Sequence, residues 1–136
     1  MVLIAMTTVV LTRDNPPGAG TPATAATPTG YVAFFGLCHT GGGTDCVVDG
    51  DTFWMDGEKI RVADIDAPET HPARCALEQE LGDRATIRLQ QLLNAGPVTL
   101  GDADRDEDRY GRKLRIAMRG GESLGGMLVK EGLGRE

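Results

Sequence analysis

The chain has 136 residues, and its 20 acidic residues outnumber its 14 lysines and arginines, which gives a formal net charge of −6 at pH 7. This length allows one domain with additional segments. Residues 1–44 contain only one arginine and one aspartate. The excess acid therefore belongs to residues 45–136, which we interpret as a single domain with a modest core. This balance argues against a broad basic surface for nucleic acid but permits a local basic site built from Arg61, Arg109 and Arg112.

The N-terminal part, residues 1–44, combines an apolar segment with a linker. Residues 1–12 are too short to span a bilayer, and they are similar to the apolar core of a signal peptide, although no Lys or Arg precedes them. We expect an exported protein, secreted or periplasmic, or one tethered by this segment; a misassigned start would instead make the protein cytoplasmic. Residues 15–30 have linker composition. The apolar residues 31–37 are either an appended strand or more of the targeting segment, and the linker before them favours a tail.

A β-hairpin is the strongest local prediction. Residues 52–55 and 59–62 are rich in β-branched and aromatic residues, and Asp56-Gly57 between them suits a type I′ turn. The hairpin brings its two ends together, so Asp51 before it could meet both Asp66 and Glu69 after it, with Arg61 nearby. Carboxylates in such an arrangement suit a hard cation such as Ca²⁺, and a nearby arginine suits a phosphate. The alternative is a polar hairpin whose acids are simply solvated.

Further elements follow the hairpin. Residues 62–65 would complete a third strand edge, and His71 in the next loop is interpreted as a surface residue. Apolar residues at helical spacing predict a helix over about residues 77–95, which Gly96-Pro97 ends. Residues 98–100 and 113–118 predict two more strands.

Three acids, Asp102, Asp104 and Asp106, alternate like the start of an EF-hand loop. The resemblance fails because Glu107 and Lys113 occupy the positions of the required Gly and bidentate Glu. We therefore interpret this run as a solvated loop.

The last predicted element is a short helix that begins after Ser123, continues to Glu131 and ends at Gly132. The predicted fold class is mainly β with helices (α+β). We expect a five-stranded OB-fold-like barrel with one helix between the third and fourth strands and a short C-terminal helix.

The three cysteines, Cys38, Cys46 and Cys75, form no CxxC motif, so a zinc site is not predicted. In an exported protein Cys46 could pair with Cys75 and leave Cys38 over, whereas in the cytosol all three would be thiols.

Four ordered motifs resemble the staphylococcal nuclease (thermonuclease-like) family. They are Val-Asp-Gly-Asp-Thr at residues 48–52, Ile-Arg-Val at 60–62, Asp-Ala-Pro-Glu-Thr at 66–70 and Asp-Arg-Tyr-Gly-Arg at 108–112. The resemblance covers roughly residues 45–136 and implies an OB-fold nuclease. In the family the chain continues beyond the position of Glu136 with aromatic residues and a C-terminal helix, so we expect residues 45–136 to lack that helix and to bind substrate more weakly.

The resemblance also implies roles for individual residues. Asp51 and Asp66 would bind Ca²⁺ through their side chains, and Ala67 would bind it through its backbone carbonyl. The residue at Ala67 is often Thr in the family, which matters little if only the carbonyl binds.

The remaining roles concern the substrate. Glu69 would be the general base or orient the attacking water. Arg61 and Arg112 would hold the phosphate and stabilise its developing charge, and Arg109 and Tyr110 would lie beside the nucleotide. The implied reaction is cleavage of the P–O5′ bond of DNA or RNA, with little sequence preference and with 3′-phosphate ends, by a monomer that has no stable membrane span.

Two other functions are considered. A non-catalytic OB-fold module that binds nucleic acid or protein would need no complete catalytic set, whereas this chain has one. A calcium-binding structural domain would explain the acids but not Arg61 and Arg112.

Overall fold

The computed structural model describes residues 29–38, 42–70 and 72–136. These residues form β1 (Gly36–Leu37), β2 (Cys46–Asp49), β3 (Thr52–Met55), β4 (Glu58–Val62), α1 (Ala76–Asn94), β5 (Thr99–Glu107), β6 (Lys113–Arg119), β7 (Glu122–Ser123) and α2 (Leu124–Lys130). The predicted targeting segment, the linker as far as residue 28 and His71 lie outside the described residues.

The predicted hairpin is confirmed. Strands β3 and β4 pair antiparallel, with Thr52 opposite Arg61 and Met55 opposite Glu58. Asp56 and Gly57 form the turn with φ angles of 51° and 79°, which is the positive-φ backbone of a type I′ turn.

The sheet contains more strands than the five that were predicted. Within the described residues seven strands form one sheet in the order β1-β2-β3-β4-β6-β5, and β7 pairs with β6. Residues 62–65 do not add a strand of their own, because β4 ends at Val62 and the next residue makes a single ladder bond, from the Ala63 N–H to the carbonyl of Arg115 at 2.9 Å. The fold is therefore α+β, with a strand-rich open sheet and two helices, and α1 follows the fourth strand rather than the third.

The acidic run at residues 102–106 is a strand and not the predicted solvated loop. It belongs to β5, which pairs antiparallel with β6. Asp106 lies 2.8 Å from Nζ of Lys113 and 2.7 Å from Nη2 of Arg115, both on β6. These cross-strand ion pairs compensate for the low strand propensity of aspartate.

Helix α1 confirms the helix predicted over residues 77–95. Its inward face contributes buried Ala85, Leu89, Leu92 and Leu93 to the core. Gly82 permits a close approach, since a Cβ there would lie 2.4 Å from Cγ2 of Thr70 and 2.8 Å from the carbonyl oxygen of Pro68. Helix α1 therefore packs directly against the loop that carries Glu69.

The segment at residues 31–37 packs into the domain, so the favoured interpretation as a tail is wrong. Phe35 is fully buried, and its ring makes an edge contact with Phe53 at a centroid distance of 6.1 Å. Its backbone N–H donates to Oδ1 of Asn94 at 2.8 Å, and its carbonyl accepts from the side chains of Gln90 and Asn94 at 3.0 Å each. These partners are 55 to 59 residues away in the chain, which is why local composition did not indicate them.

The disulfide joins Cys38 to Cys46, and not Cys46 to Cys75. Strand β1 runs parallel to β2, and the Cys38 N–H donates to the carbonyl of Val47 at 2.9 Å. This pairing brings the Cα atoms of Cys38 and Cys46 to 5.5 Å, within the usual range for a disulfide. Cys75 lies at the start of α1 as an exposed free thiol.

The short C-terminal helix is confirmed as α2. The hydroxyl of Ser123 caps it by accepting from the Gly126 N–H at 2.9 Å. Gly132, at φ 74°, follows its end. Across the described ranges, no helix combines the length and apolar character needed to cross a bilayer.

Candidate active site

The site forms where the β2–β3 turn meets the loop after β4. Gly50 in that turn has no room for a side chain, since a Cβ would lie 2.6 Å from Cβ of Ala85 on α1 and 2.8 Å from Cβ of Ala67. This close packing fixes the backbone on both sides of the site. It places Asp51 directly beside the loop at residues 66–69.

Asp51 is buried and satisfied by hydrogen bonds. Its Oδ2 accepts from the Ala67 N–H at 2.9 Å, and its Oδ1 accepts from the hydroxyl of Thr52 at 3.0 Å. Burial raises the pKa of Asp51 from 3.8 to about 6, and the neighbouring negative charge of Asp49 acts in the same direction. Arg61 and the Ala67 N–H lower this pKa but do not cancel the effect of burial. Because burial disfavours the negative charge of this carboxylate, an additional positive charge nearby would stabilise it.

Arg61 connects the two predicted metal-binding carboxylates. Its Nη2 lies 3.1 Å from Oδ2 of Asp51 and 3.2 Å from Oδ1 of Asp66. Its Nη1 donates to the carbonyls of Val62 and Ile65 at 2.6 and 2.8 Å. The guanidinium is therefore held by four oxygens, and a single nitrogen of it contacts both carboxylates.

Arg112 lies in the β5–β6 connection and reaches the residue next to Asp51. Asp108 organises this turn, since its Oδ1 accepts from the backbone N–H groups of Tyr110 and Arg112 at 2.8 and 3.0 Å. Its Oδ2 lies 2.5 Å from Nε of Arg112. Nη1 of Arg112 lies 3.5 Å from the hydroxyl of Thr52, the residue after Asp51. This hydroxyl donates in turn to Oδ1 of Asp51, so Thr52 links Arg112 to one of the two carboxylates.

Tyr110 lies on the rim of the site. Its side chain is 68% exposed, and the guanidinium carbons of Arg109 and Arg112 lie 4.7 and 5.4 Å from its ring centroid. An exposed aromatic face flanked by two guanidinium groups offers both stacking and positive charge.

Glu69 is the member of the predicted set that lies apart. It is exposed and lines a cleft of about 550 Å³ that also contains Asp66, Ala67 and residues at the start of α1. In the part of the chain that the structure describes, no ion pair joins the Glu69 carboxylate to Arg61 or Arg112.

The donor set is chemically suited to a hard cation. Because two carboxylate oxygens contact the same nitrogen of Arg61, one positive centre between Asp51 and Asp66 can contact both. The Ala67 carbonyl would add a third oxygen, and water would supply the rest of the six to eight ligands that Ca²⁺ takes. The described residues contain no group of three or more His, Cys, Asp or Glu side chains placed to hold a metal.

One residue in contact with this site was missed in the sequence. Arg135, the penultimate residue of the sequence, forms an ion pair with Asp66 in which Nη2 lies 3.1 Å from Oδ2. No motif marks it. The only available signal was its place two residues after the apolar Leu133, which anchors the segment in the core.

The comparisons with known proteins identify the family. The family model described as staphylococcal nuclease homologue matches residues 59–136, more than half of the chain. This stretch contains Arg61, Asp66, Glu69 and Arg112, whereas Asp51 precedes it. A search of curated proteins finds no match. The chain belongs to the staphylococcal nuclease homologue family.

Proposed function

We propose that the protein is a Ca²⁺-dependent nuclease that hydrolyses phosphodiester bonds of DNA and RNA with little sequence preference and leaves 3′-phosphate ends. The observation that carries this proposal is the contact of one Arg61 nitrogen with both Asp51 and Asp66, in a chain that belongs to this family. It supports the proposal because it brings an arginine and two carboxylates together, and these are the groups that would bind a phosphate and a cation.

The cation would be held by Asp51, Asp66 and the carbonyl of Ala67. Ca²⁺ held there would supply positive charge that could polarise a phosphoryl oxygen and a water molecule. Asp51 gains a counter-charge that offsets its unfavourable burial. Its hydrogen bond from the Ala67 N–H keeps its orientation fixed.

The two arginines would hold the scissile phosphate. Arg61 and Arg112 each carry a planar guanidinium that remains charged at any physiological pH. The Nη2 donors of Arg61, which contact Asp51 and Asp66 here, would turn to the phosphate when these carboxylates bind the cation. Their donors would stabilise the charge that develops on the phosphoryl oxygens, which is usually the largest single contribution to such catalysis. Asp108 preorganises Arg112 for this role through its contact with Nε.

Glu69 would act as the general base or orient the attacking water. Its exposed carboxylate lines the cleft beside Asp66 and Ala67, where it would lie within reach of a water in that cleft. Tyr110 and Arg109 would contact the nucleotide by stacking and charge.

The fold of the family is part of the proposal. We infer that the sheet corresponds to the OB-fold-like barrel, because the segment before β1 reaches the opposite end of the strand order. Tyr31 pairs with Val98, just before β5, through backbone hydrogen bonds of 2.8 and 2.9 Å. Since β1 itself pairs with β2, this segment bridges the two ends of the sheet.

Export and a monomeric state complete the proposal. The Cys38–Cys46 disulfide supports an oxidising location, because such bonds persist mainly in secreted and periplasmic proteins. A monomer is supported by the presence of the whole set of site residues on one chain.

The second candidate is a non-catalytic module that binds nucleic acid. It is favoured by one observation, the position of Glu69 outside the contacts that join Asp51, Arg61 and Asp66. Such a module would bind through Arg109, Tyr110 and Arg112 without cleaving.

Digestion of plasmid DNA and of RNA, with Ca²⁺ and with EDTA, separates the two candidates. The nuclease degrades both substrates only with Ca²⁺, whereas the binding module retards them on a gel and leaves them intact. Absence of cleavage under both conditions, with a folded protein, would contradict the nuclease.

A further inference from the structure

The residues after α2 return to the predicted metal-binding loop. Leu133 is buried in the core, and its N–H donates to the carbonyl of Leu128 at 2.9 Å. Gly132, at φ 74°, supplies the change of direction just before it. This anchoring leaves the next residues little freedom and directs them toward Asp66.

Arg135 contacts Asp66 through both backbone and side chain. The two residues exchange backbone hydrogen bonds of 2.8 and 3.0 Å as an antiparallel bridge. The Arg135 guanidinium also donates to Oδ2 of Asp66, at 3.1 Å from Nη2 and 3.4 Å from Nε. The other oxygen of Asp66, Oδ1, lies 3.2 Å from Nη2 of Arg61. The two oxygens of one carboxylate are thus divided between two arginines.

We propose that Arg135 is a positioning residue that fixes the carboxylate of Asp66 so that Oδ1 faces Asp51. The inference rests on the proposed Ca²⁺ function and deepens it. The Asp66 side chain is 49% exposed, so packing alone does not select one orientation. Arg135 occupies Oδ2, so the oxygen that would meet the cation is Oδ1, which here shares Nη2 of Arg61 with Oδ2 of Asp51.

Positioning and electrostatic repulsion predict opposite results, which makes the role testable. A guanidinium near a cation would weaken binding by repulsion, and its removal would then tighten binding. The Arg135 side chain is 77% exposed, so the high dielectric constant of the surrounding water weakens that repulsion. We therefore expect the loss of orientation to dominate, and removal of Arg135 should weaken Ca²⁺ binding.

Calorimetric titration with Ca²⁺ tests this inference on the full chain and three variants. For Arg135→Ala we expect a dissociation constant raised about tenfold, at the lower end of what loss of a residue supporting a metal ligand costs. Arg135→Lys, which retains one charged donor, should restore most of the affinity. The control is Arg88→Ala, which removes another arginine–carboxylate pair, with Glu131 at 2.8 Å, and should bind Ca²⁺ like the unmodified protein.

The outcomes separate this inference from the proposed function. Unchanged or tighter binding by Arg135→Ala, beside normal binding by the unmodified chain, would overturn the positioning role alone. If the unmodified chain itself fails to bind Ca²⁺, the proposed function fails and the inference fails with it. Arg135→Gln, which keeps most of the bulk, gives the same test if Arg135→Ala lowers the melting temperature, and equal affinity there would also overturn the role.

Discussion

Arg61 lies 3.1 Å from Asp51, an aspartate whose carboxylate is buried beneath the loop after β4. Despite this partner the pKa of Asp51 is raised to about 6, because burial outweighs the favourable charge. The ion pair therefore compensates only part of the cost of a buried negative charge. A bound cation would compensate for more of this cost. The first two predictions test the buried charge of Asp51 and its response to a cation.

The first prediction concerns pH. The folded pKa of Asp51, about 6, exceeds its unfolded value of 3.8, so its contribution to stability is fully present below the unfolded value and is lost as pH rises through about 6. We therefore compare the free energies of unfolding of the wild type and Asp51→Asn in EDTA. The wild-type value minus the variant value should fall by on the order of 2 kcal/mol between pH 4 and pH 7. Urea unfolding of both proteins at both pH values measures this difference. A difference that does not change with pH would contradict the raised pKa of Asp51.

The second prediction concerns Ca²⁺ and stability at neutral pH. A cation that binds only the folded state should raise the free energy of unfolding by about 2.7 kcal/mol at a free concentration of 100 times its dissociation constant, which corresponds to a melting temperature several degrees higher. Asp51→Ala should remove the response. Asp83→Ala, on the exposed face of α1, should retain it. A melting temperature of the wild type that millimolar Ca²⁺ leaves unchanged would argue against the site.

The parts of the site that could be predicted were those specified by neighbouring residues. Asp56-Gly57 fixes the turn, the turn fixes the register of β3 and β4, and the register brings the ends of the hairpin together. The helix from Ala76 to Asn94 was equally accessible, because its apolar spacing and Gly96-Pro97 are local signals. Contacts across Asp51, Arg61 and Asp66 follow from these elements.

The parts that could not be predicted depend on partners far away in the sequence. Phe35 is held by Asn94 and Gln90, and Cys38 reaches Cys46 only because β1 pairs with β2. Local composition around Phe35 indicated a tail, since nothing near it in sequence identifies these partners. Arg135 was missed for the same reason, because its contact with Asp66 spans 69 residues.

The third prediction uses two adjacent phenylalanines to test the docking of the N-terminal segment. Phe35 is fully buried, whereas Phe34 is 82% exposed. Phe35→Ala should lower the free energy of unfolding by about 3–5 kcal/mol because it empties a core position, while Phe34→Ala should change it by less than about 0.5 kcal/mol. Thermal or urea unfolding of both variants provides the measurement. Equal, small effects would restore the interpretation of this segment as a tail.

The fourth prediction concerns Arg112 and turnover. Arg112→Lys keeps the charge but loses the planar fork that contacts Asp108 and reaches Thr52, so turnover should fall on the order of 10²-fold or more. Circular dichroism should show retained structure. The matched control is Arg115→Lys, an arginine of the same region that pairs with Asp106 instead. Near-normal turnover in a folded Arg112→Lys variant would contradict the proposed role of Arg112.

The central claim is that Asp51, Arg61 and Asp66 form a Ca²⁺-dependent phosphodiesterase site. Its most direct test is cleavage of a 5′-labelled single-stranded DNA oligonucleotide, with mass spectrometry of the new ends. We expect cleavage with Ca²⁺, none with EDTA, and products that carry 3′-phosphates. Asp66→Asn, which would lose a metal ligand, should lower the rate by about 10²-fold or more. Asp104→Asn, which changes an exposed acid on β5, should leave the rate normal. Equal cleavage in EDTA, 3′-hydroxyl ends, or full activity of Asp66→Asn would contradict it.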